Sequence, residues 1–179
     1  MHSSKRPAAR RLGAVILAAF LTSAAVASPQ SNAFDAQLAL TETIAFTGAP
    51  PCFGIGTVQA AGKASFLGKV TATSSDCINP QGTFDPGSTA NSFSFSSTGS
   101  GPAGLVFTAT SGELLFATYS GTLTPQPSGP HRIDGQFTIT GGTGRYLGAT
   151  GGGTLSGYED ISQVVSGRGV VQMVGTIVY

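Results

Sequence analysis

Thr140-Gly141-Gly142-Thr143-Gly144-Arg145-Tyr146-Leu147-Gly148 follows a strand-like run from Gln136 and can be read in two incompatible ways. In a nucleotide-binding dehydrogenase, such glycines let the backbone approach a pyrophosphate at a helix N-terminus. Gly141, Gly142, Gly144 and Gly148 could form that loop, with Glu159 or Asp160 as the downstream acid. The helix would have to run from Tyr146 to about Gly157, a span holding five glycines. Each costs about 1 kcal/mol against alanine in a helix. Too little chain follows the motif to complete a doubly wound sheet. The sequence therefore predicts no nucleotide cofactor, and no other cofactor is indicated. As a turn the residues are coherent: Gly141-Gly142 ends one strand, Arg145 to Ala149 crosses the end of a small barrel, and Tyr146 drops an aromatic plug over the core. Gly151 to Gly153 then opens the next strand with room for a bulge or sharp bend.

Outward from this stretch, alternation recurs and no window has a convincing helical period. Short strands are expected over Thr41 to Phe46, Gly54 to Ala60 and Ala64 to Thr73, the last two separated near Gly62. Asn91 to Ser96 alternates phenylalanine with serine. Leu105 to Thr110 and Glu113 to Leu123 flank Ser111-Gly112, a two-residue hairpin signal. That turn predicts Phe107 opposite Phe116 and Ala109 opposite Leu114 on one face, with Val106, Thr108, Leu115 and Ala117 on the other. Ile133 to Thr140, Gly153 to Tyr158, Val164 to Ser166 and Val170 to Tyr179 complete eight or nine strands. Ser74 to Ala90 and Pro125 to Pro130 read as the longer links. The fold class is all-β, an eight-stranded antiparallel barrel, because closure removes exposed edges. Its interior would be packed, or just large enough for one small ligand. Both faces of the last strand are apolar, which argues against a solvent-facing edge.

The N-terminus carries Lys5, Arg6, Arg10 and Arg11, an apolar run from Leu12 to about Ala24, and then Ala25-Val26-Ala27. This is the layout of a secretory signal peptide. The run is short for a membrane span of about 20 residues; an uncleaved anchor is the alternative. The reading divides the chain into a signal peptide over 1–27, an N-terminal extension over 28–40 and the barrel domain over 41–179. It places the protein outside the cytoplasm, periplasmic or extracellular. Past the signal, five basic residues face eight acidic ones, a net charge of −3. With no basic cluster, the chain lacks the footprint of a nucleic-acid binder and has no polybasic patch for an anionic membrane. Cys52 and Cys77 are the only cysteines. In an exported chain an even pair suggests a disulfide; two buried free thiols are the alternative. No metal site is expected, since His131 is the only histidine after the signal.

The segment Gly135 to Gly151 resembles the late signature of the allene oxide cyclase and dirigent superfamily of eight-stranded barrels. In that signature a strand is followed by Gly-Gly-Ser/Thr-Gly-x-Phe/Tyr and a small-residue run ending in glycine. It is closer still to exported bacterial proteins with an allene oxide cyclase-like barrel and no assigned activity. Gly62 to Lys69 and Gly112 to Gly121 are similar to that group's early element and central hairpin. The resemblance implies the fold and not an activity. The arginine that dirigent proteins carry after the glycine motif falls on Thr150 here, and cyclase pocket residues have no placed counterparts.

Candidate functional groups are few. Glu42, in an apolar strand, is either a buried carboxyl able to act as general acid or base or, more commonly for such a position, a solvated one. Arg145 and Tyr146 are the members of the glycine motif that could touch a ligand. Tyr158-Glu159-Asp160 could line a barrel mouth with Arg145 or Arg168, or form a structural salt bridge. Glu113 and His131-Arg132 read as surface. No serine stands in a nucleophile elbow. The expected function is a non-catalytic exported barrel that binds a small apolar molecule or acts as an interaction module. The alternatives are a barrel-cavity isomerase or cyclase and a small outer-membrane barrel. An outer-membrane insertion signal is suggested by terminal Tyr179 with Ile177, Met173 and Val171, while the absence of tryptophan and of an aromatic girdle opposes it.

Overall fold

The computed structural model describes residues 30–85, 88, 90–99, 104–163 and 165–179. The expected signal peptide over 1–27, the first two residues of the expected extension and Val164 lie outside the described residues. Nine strands follow in order: β1 Ser31–Ala49, β2 Cys52–Ala64, β3 Gly68–Pro80, β4 Phe93–Ser97, β5 Leu105–Ala109, β6 Leu114–Thr124, β7 His131–Gly142, β8 Thr150–Gln163 and β9 Ser166–Val178. All pairings are antiparallel, and the sheet closes through β2 on β3. β4 and β5 lie one after the other between β3 and β6, so eight strand positions form the barrel.

Alternation explains the strands. Phe34, Ala36 and Leu38 of β1 are buried, and the residues between them, Asp35 and Gln37, are half-buried and exposed. The alternation thus begins well before Thr41, and the expected extension over 28–40 is corrected: Ser31 onward is barrel wall, paired with β9. Gly62 does not break the chain. It lies within β2, where a Cβ would stand 1.9 Å from the Gln37 carbonyl oxygen, so its glycine serves close strand approach. The turn comes after Ala64, and β3 continues through Asp76 to Pro80, which shortens the expected Ser74 to Ala90 link.

The β5–β6 hairpin also differs by one residue. Phe107 pairs with Leu115 and Val106 with Phe116. The loop holds three residues, Thr110 to Gly112, closed by Ala109 N–H donating to the Glu113 carbonyl. Gly112 at φ +86° takes the left-handed position of such loops. The slip gives Phe107, Ala109, Leu115 and Ala117 one shared, buried face.

One end of the barrel is closed by the glycine motif. A short 3-10 turn, Gly144–Tyr146, brings the Tyr146 ring over the core, where it is fully buried. Its hydroxyl donates to the Phe66 carbonyl at 2.9 Å. Arg145 Nη2 donates to the same oxygen at 2.6 Å, its guanidinium lies 4.9 Å from the Tyr146 ring centre, and Glu113 stands 3.4 Å from its Nε. The opposite end carries an aromatic group, Phe46, Phe53, Phe84 and Phe93. There the Cys52–Cys77 disulfide ties the start of β2 to β3, with Cα atoms 5.0 Å apart.

Candidate ligand-binding site

The inward positions of β1, β3, β6 and β8 change character along their length. Near the Tyr146 end they are apolar or small. Further along they become Glu42 on β1, Ser74 and Asp76 on β3, Tyr119 on β6 and Glu159 on β8. Strand parity aims all of them into the barrel. Glu42, Asp76 and Glu159 are 5%, 6% and 3% exposed. With Tyr119 they line an internal cavity of about 60 Å³, on alternate strand positions around the barrel, and its other lining residues include Leu38, Val58, Phe95, Leu105, Leu155 and Met173.

Glycines make the room. A Cβ on Gly56 of β2 would lie 1.8 Å from Glu42 Oε1, and one on Gly167 of β9 would lie 2.1 Å from Glu159 Oε1. Each carboxyl therefore occupies space that the facing strand yields by having no side chain.

Polar satisfaction is uneven. Tyr119 donates its hydroxyl proton to Asp76 Oδ1 and lies 2.8 Å from Ser74 Oγ. Ser74 has one hydroxyl proton for two acceptors, the Gly104 carbonyl at 2.8 Å and Asp76 Oδ1 at 3.1 Å. Glu42 and Glu159 stand within hydrogen-bonding reach of each other. Oε1 of each is buried with no hydrogen-bond partner.

Burial governs the protonation of these groups. Desolvation, then the negative neighbours Glu159 and Asp76, pushes the Glu42 carboxyl up to about 9. Desolvation raises Glu159 to about 7, opposed by its hydrogen bond with Glu42. Asp76 is raised by burial, while the bonds from Tyr119 and Ser74 pull it down. Tyr119 is raised well above the usual phenol value by burial and by Asp76. Near neutral pH the Glu42–Glu159 pair thus holds at least one proton that a solvated pair would release.

Of the groups expected from the sequence, Glu42 lies in the cavity wall and is not solvated, and Glu159 joins it from β8, across the intervening β9. Arg145 and Tyr146 are at the closed opposite end and do not line the cavity. Asp76, Ser74 and Tyr119 carry no motif that marks them in the sequence. Their signal was parity: Val70, Ala72, Ser74, Asp76 and Ile78 form one inward row, as do Leu115, Ala117 and Tyr119. His131 is buried rather than surface, its Nε2 3.1 Å from the Asn91 carbonyl oxygen. Among the described residues no three His, Cys, Asp or Glu side chains converge as a metal-holding group.

Comparison with protein-family models, with curated proteins and with solved structures finds no match.

Proposed function

We propose that this is an exported, non-catalytic barrel that binds one small, largely apolar molecule inside its wall. The observation that carries the reading is the internal cavity of about 60 Å³, apolar except for Glu42, Asp76, Glu159 and Tyr119. An apolar chamber with a few placed polar groups is the general form of a small-ligand site. The volume exceeds what one water needs and is below that of an engineered cavity known to take benzene, so the occupant is small. The sequence resemblance to exported allene oxide cyclase-like barrels supports the same architecture. The Cys52–Cys77 disulfide supports an oxidising compartment, periplasmic or extracellular. Outward-facing Gln37, Lys63, Thr71, Arg132, Gln136 and Gln172 favour a barrel in water over one sunk in lipid, whose outer band would be apolar.

Native mass spectrometry of the protein isolated from its source tests this. The expected result is a bound mass lost on denaturation. A bare protein that also takes up no small apolar probe such as xenon would refute ligand binding and leave the interaction-module reading.

A second reading, an isomerase or cyclase, is favoured by one observation. Glu42 and Glu159 are adjacent carboxyls whose proton affinities are set apart, at about 9 and about 7. Such a pair can offer an acid and a base at the same pH.

A further inference from the structure

We propose that the cavity selects a small apolar amine, its ammonium group seated between Glu42 and Glu159 and its hydrocarbon part against Leu38, Leu155 and Met173. This rests on the ligand-binding reading above and names the ligand's chemistry.

The first support is the charge layout. Lys63, Lys69, Arg132, Arg145 and Arg168, all the basic residues among those described, are exposed and face outward. Three carboxyls face inward with no Lys or Arg opposite them. His131, beside Glu159 on the neighbouring strand, is occupied at Nε2 by the Asn91 carbonyl and stands outside the cavity wall. The second support is hydrogen bonding. The hydroxyl donors present are engaged elsewhere, Tyr119 with Asp76 and Ser74 with Asp76 and the Gly104 carbonyl. Glu42 Oε1 and Glu159 Oε1 are buried with no hydrogen-bond partner, and the one proton the pair holds near neutral pH cannot serve both. An ammonium carries three N–H donors and the missing positive charge in one compact group. The third is shape. Gly56 and Gly167 make the room that these two oxygens occupy, and apart from Asp76 and Tyr119 the remaining lining is apolar. A metal ion is a poorer fit, because no three ligating side chains converge among the described residues.

Every wall enters the pH behaviour. β1 presents Glu42, β3 Asp76 and Ser74, β6 Tyr119, β7 His131 and β8 Glu159. β2 and β9 present Gly56 and Gly167, while β4 and β5 add only Phe95 and Leu105 to the cavity wall. When the glutamate pair carries a negative charge the ammonium is bound; when both are protonated its advantage disappears.

The test is an amide NMR titration of the disulfide-bonded protein with n-propylamine and with its neutral counterpart n-propanol. At about pH 8 propylamine should bind about tenfold tighter or more, as expected for hydrogen bonds to a charged group. It should shift the amides of Gly56 and Gly167. At about pH 5 the preference should vanish. Glu42→Gln with Glu159→Gln should abolish the preference and keep propanol binding. If that double variant fails to fold, Glu159→Gln alone should reduce the preference, and the pH series on the native chain decides. Equal affinity for both probes at about pH 8 would overturn the amine and leave the cavity reading standing. Binding of neither would overturn both. An amine preference that survives the substitutions would place the seat elsewhere and overturn the proposal.

Discussion

At the scale of single residues, the barrel interior contains a conflict. Glu42 and Glu159 sit where an apolar core would otherwise continue, and their glycine partners confirm that space is allotted to them. Such carboxyls link stability to pH with a definite sign. Their ordinary value of 4.5 is raised in the folded state to about 9 and about 7. Between those limits the unfolded chain releases protons that the folded chain keeps. The pair's contribution is therefore least unfavourable below about pH 4.5. It worsens as pH rises through about 7 and levels off above about 9. Glu42→Gln keeps the shape and removes the titration. In urea unfolding the variant should match the native chain near pH 4.5 and exceed it by on the order of a few kcal/mol near pH 9. Equal stability at both ends would mean Glu42 is solvated in solution. The sequence left this residue open because a lone glutamate in an alternating strand has the same local pattern whichever face it takes. Only the parity of Leu38 and Leu40 on the same strand points it inward.

At the scale of elements, alternation was informative and chain reversals less so. Alternation predicts eight or nine strands and a closed barrel, and the glycine motif reads as a crossing with Tyr146 as plug, which is how both stand in the structure. The β5–β6 register is not legible, because Ser111-Gly112 suits a two-residue turn while the loop spends a third residue, Thr110, before the left-handed Gly112. Gly62 misled for the opposite reason: a glycine needed for strand approach looks locally like a break. The β8–β9 pair shows how far that second use extends. Gly153 pairs with Gly175, and a Cβ on Gly175 would stand 2.1 Å from the Gly152 carbonyl oxygen and 2.8 Å from Gly153 Cα. The colliding atoms are backbone and cannot rotate away. Gly175→Ala should therefore cost on the order of 2–3 kcal/mol, whereas exposed Thr176→Ala should change stability by less than about 0.5 kcal/mol. Chemical denaturation of the two variants side by side measures this. A mild Gly175→Ala would show that the strands can separate without loss, so the seam would not be what sets the barrel's curvature.

At the scale of the whole molecule, the barrel has a plugged end and a bridged end. The plugged end is held by side chains: Tyr146 on the core, Arg145 and Tyr146 both donating to the Phe66 carbonyl, and Tyr179 against both aromatic rings. The bridged end contains the buried carboxyls, whose desolvation opposes folding, and the Cys52–Cys77 bond lies on that side. The bond closes a loop of about 26 residues and so removes on the order of 3 kcal/mol of freedom from the unfolded chain. For a domain of this size that is about 6–12 °C in melting temperature. Reduction, or Cys52→Ser with Cys77→Ser, should lower the melting temperature by that amount. The loss should be concentrated where the acids lie, seen as faster amide exchange at the Cys52 end of β2 and the Pro80 end of β3 than around Tyr146. Uniform loss would mean the barrel melts as one unit and the bond acts only on the unfolded chain. The combined variant with Glu42→Gln separates these cases. If the bond holds the carboxyl end closed, removing the buried titrating group should recover part of the lost stability near pH 9 and none near pH 4.5, because only the ionising carboxyl strains that end.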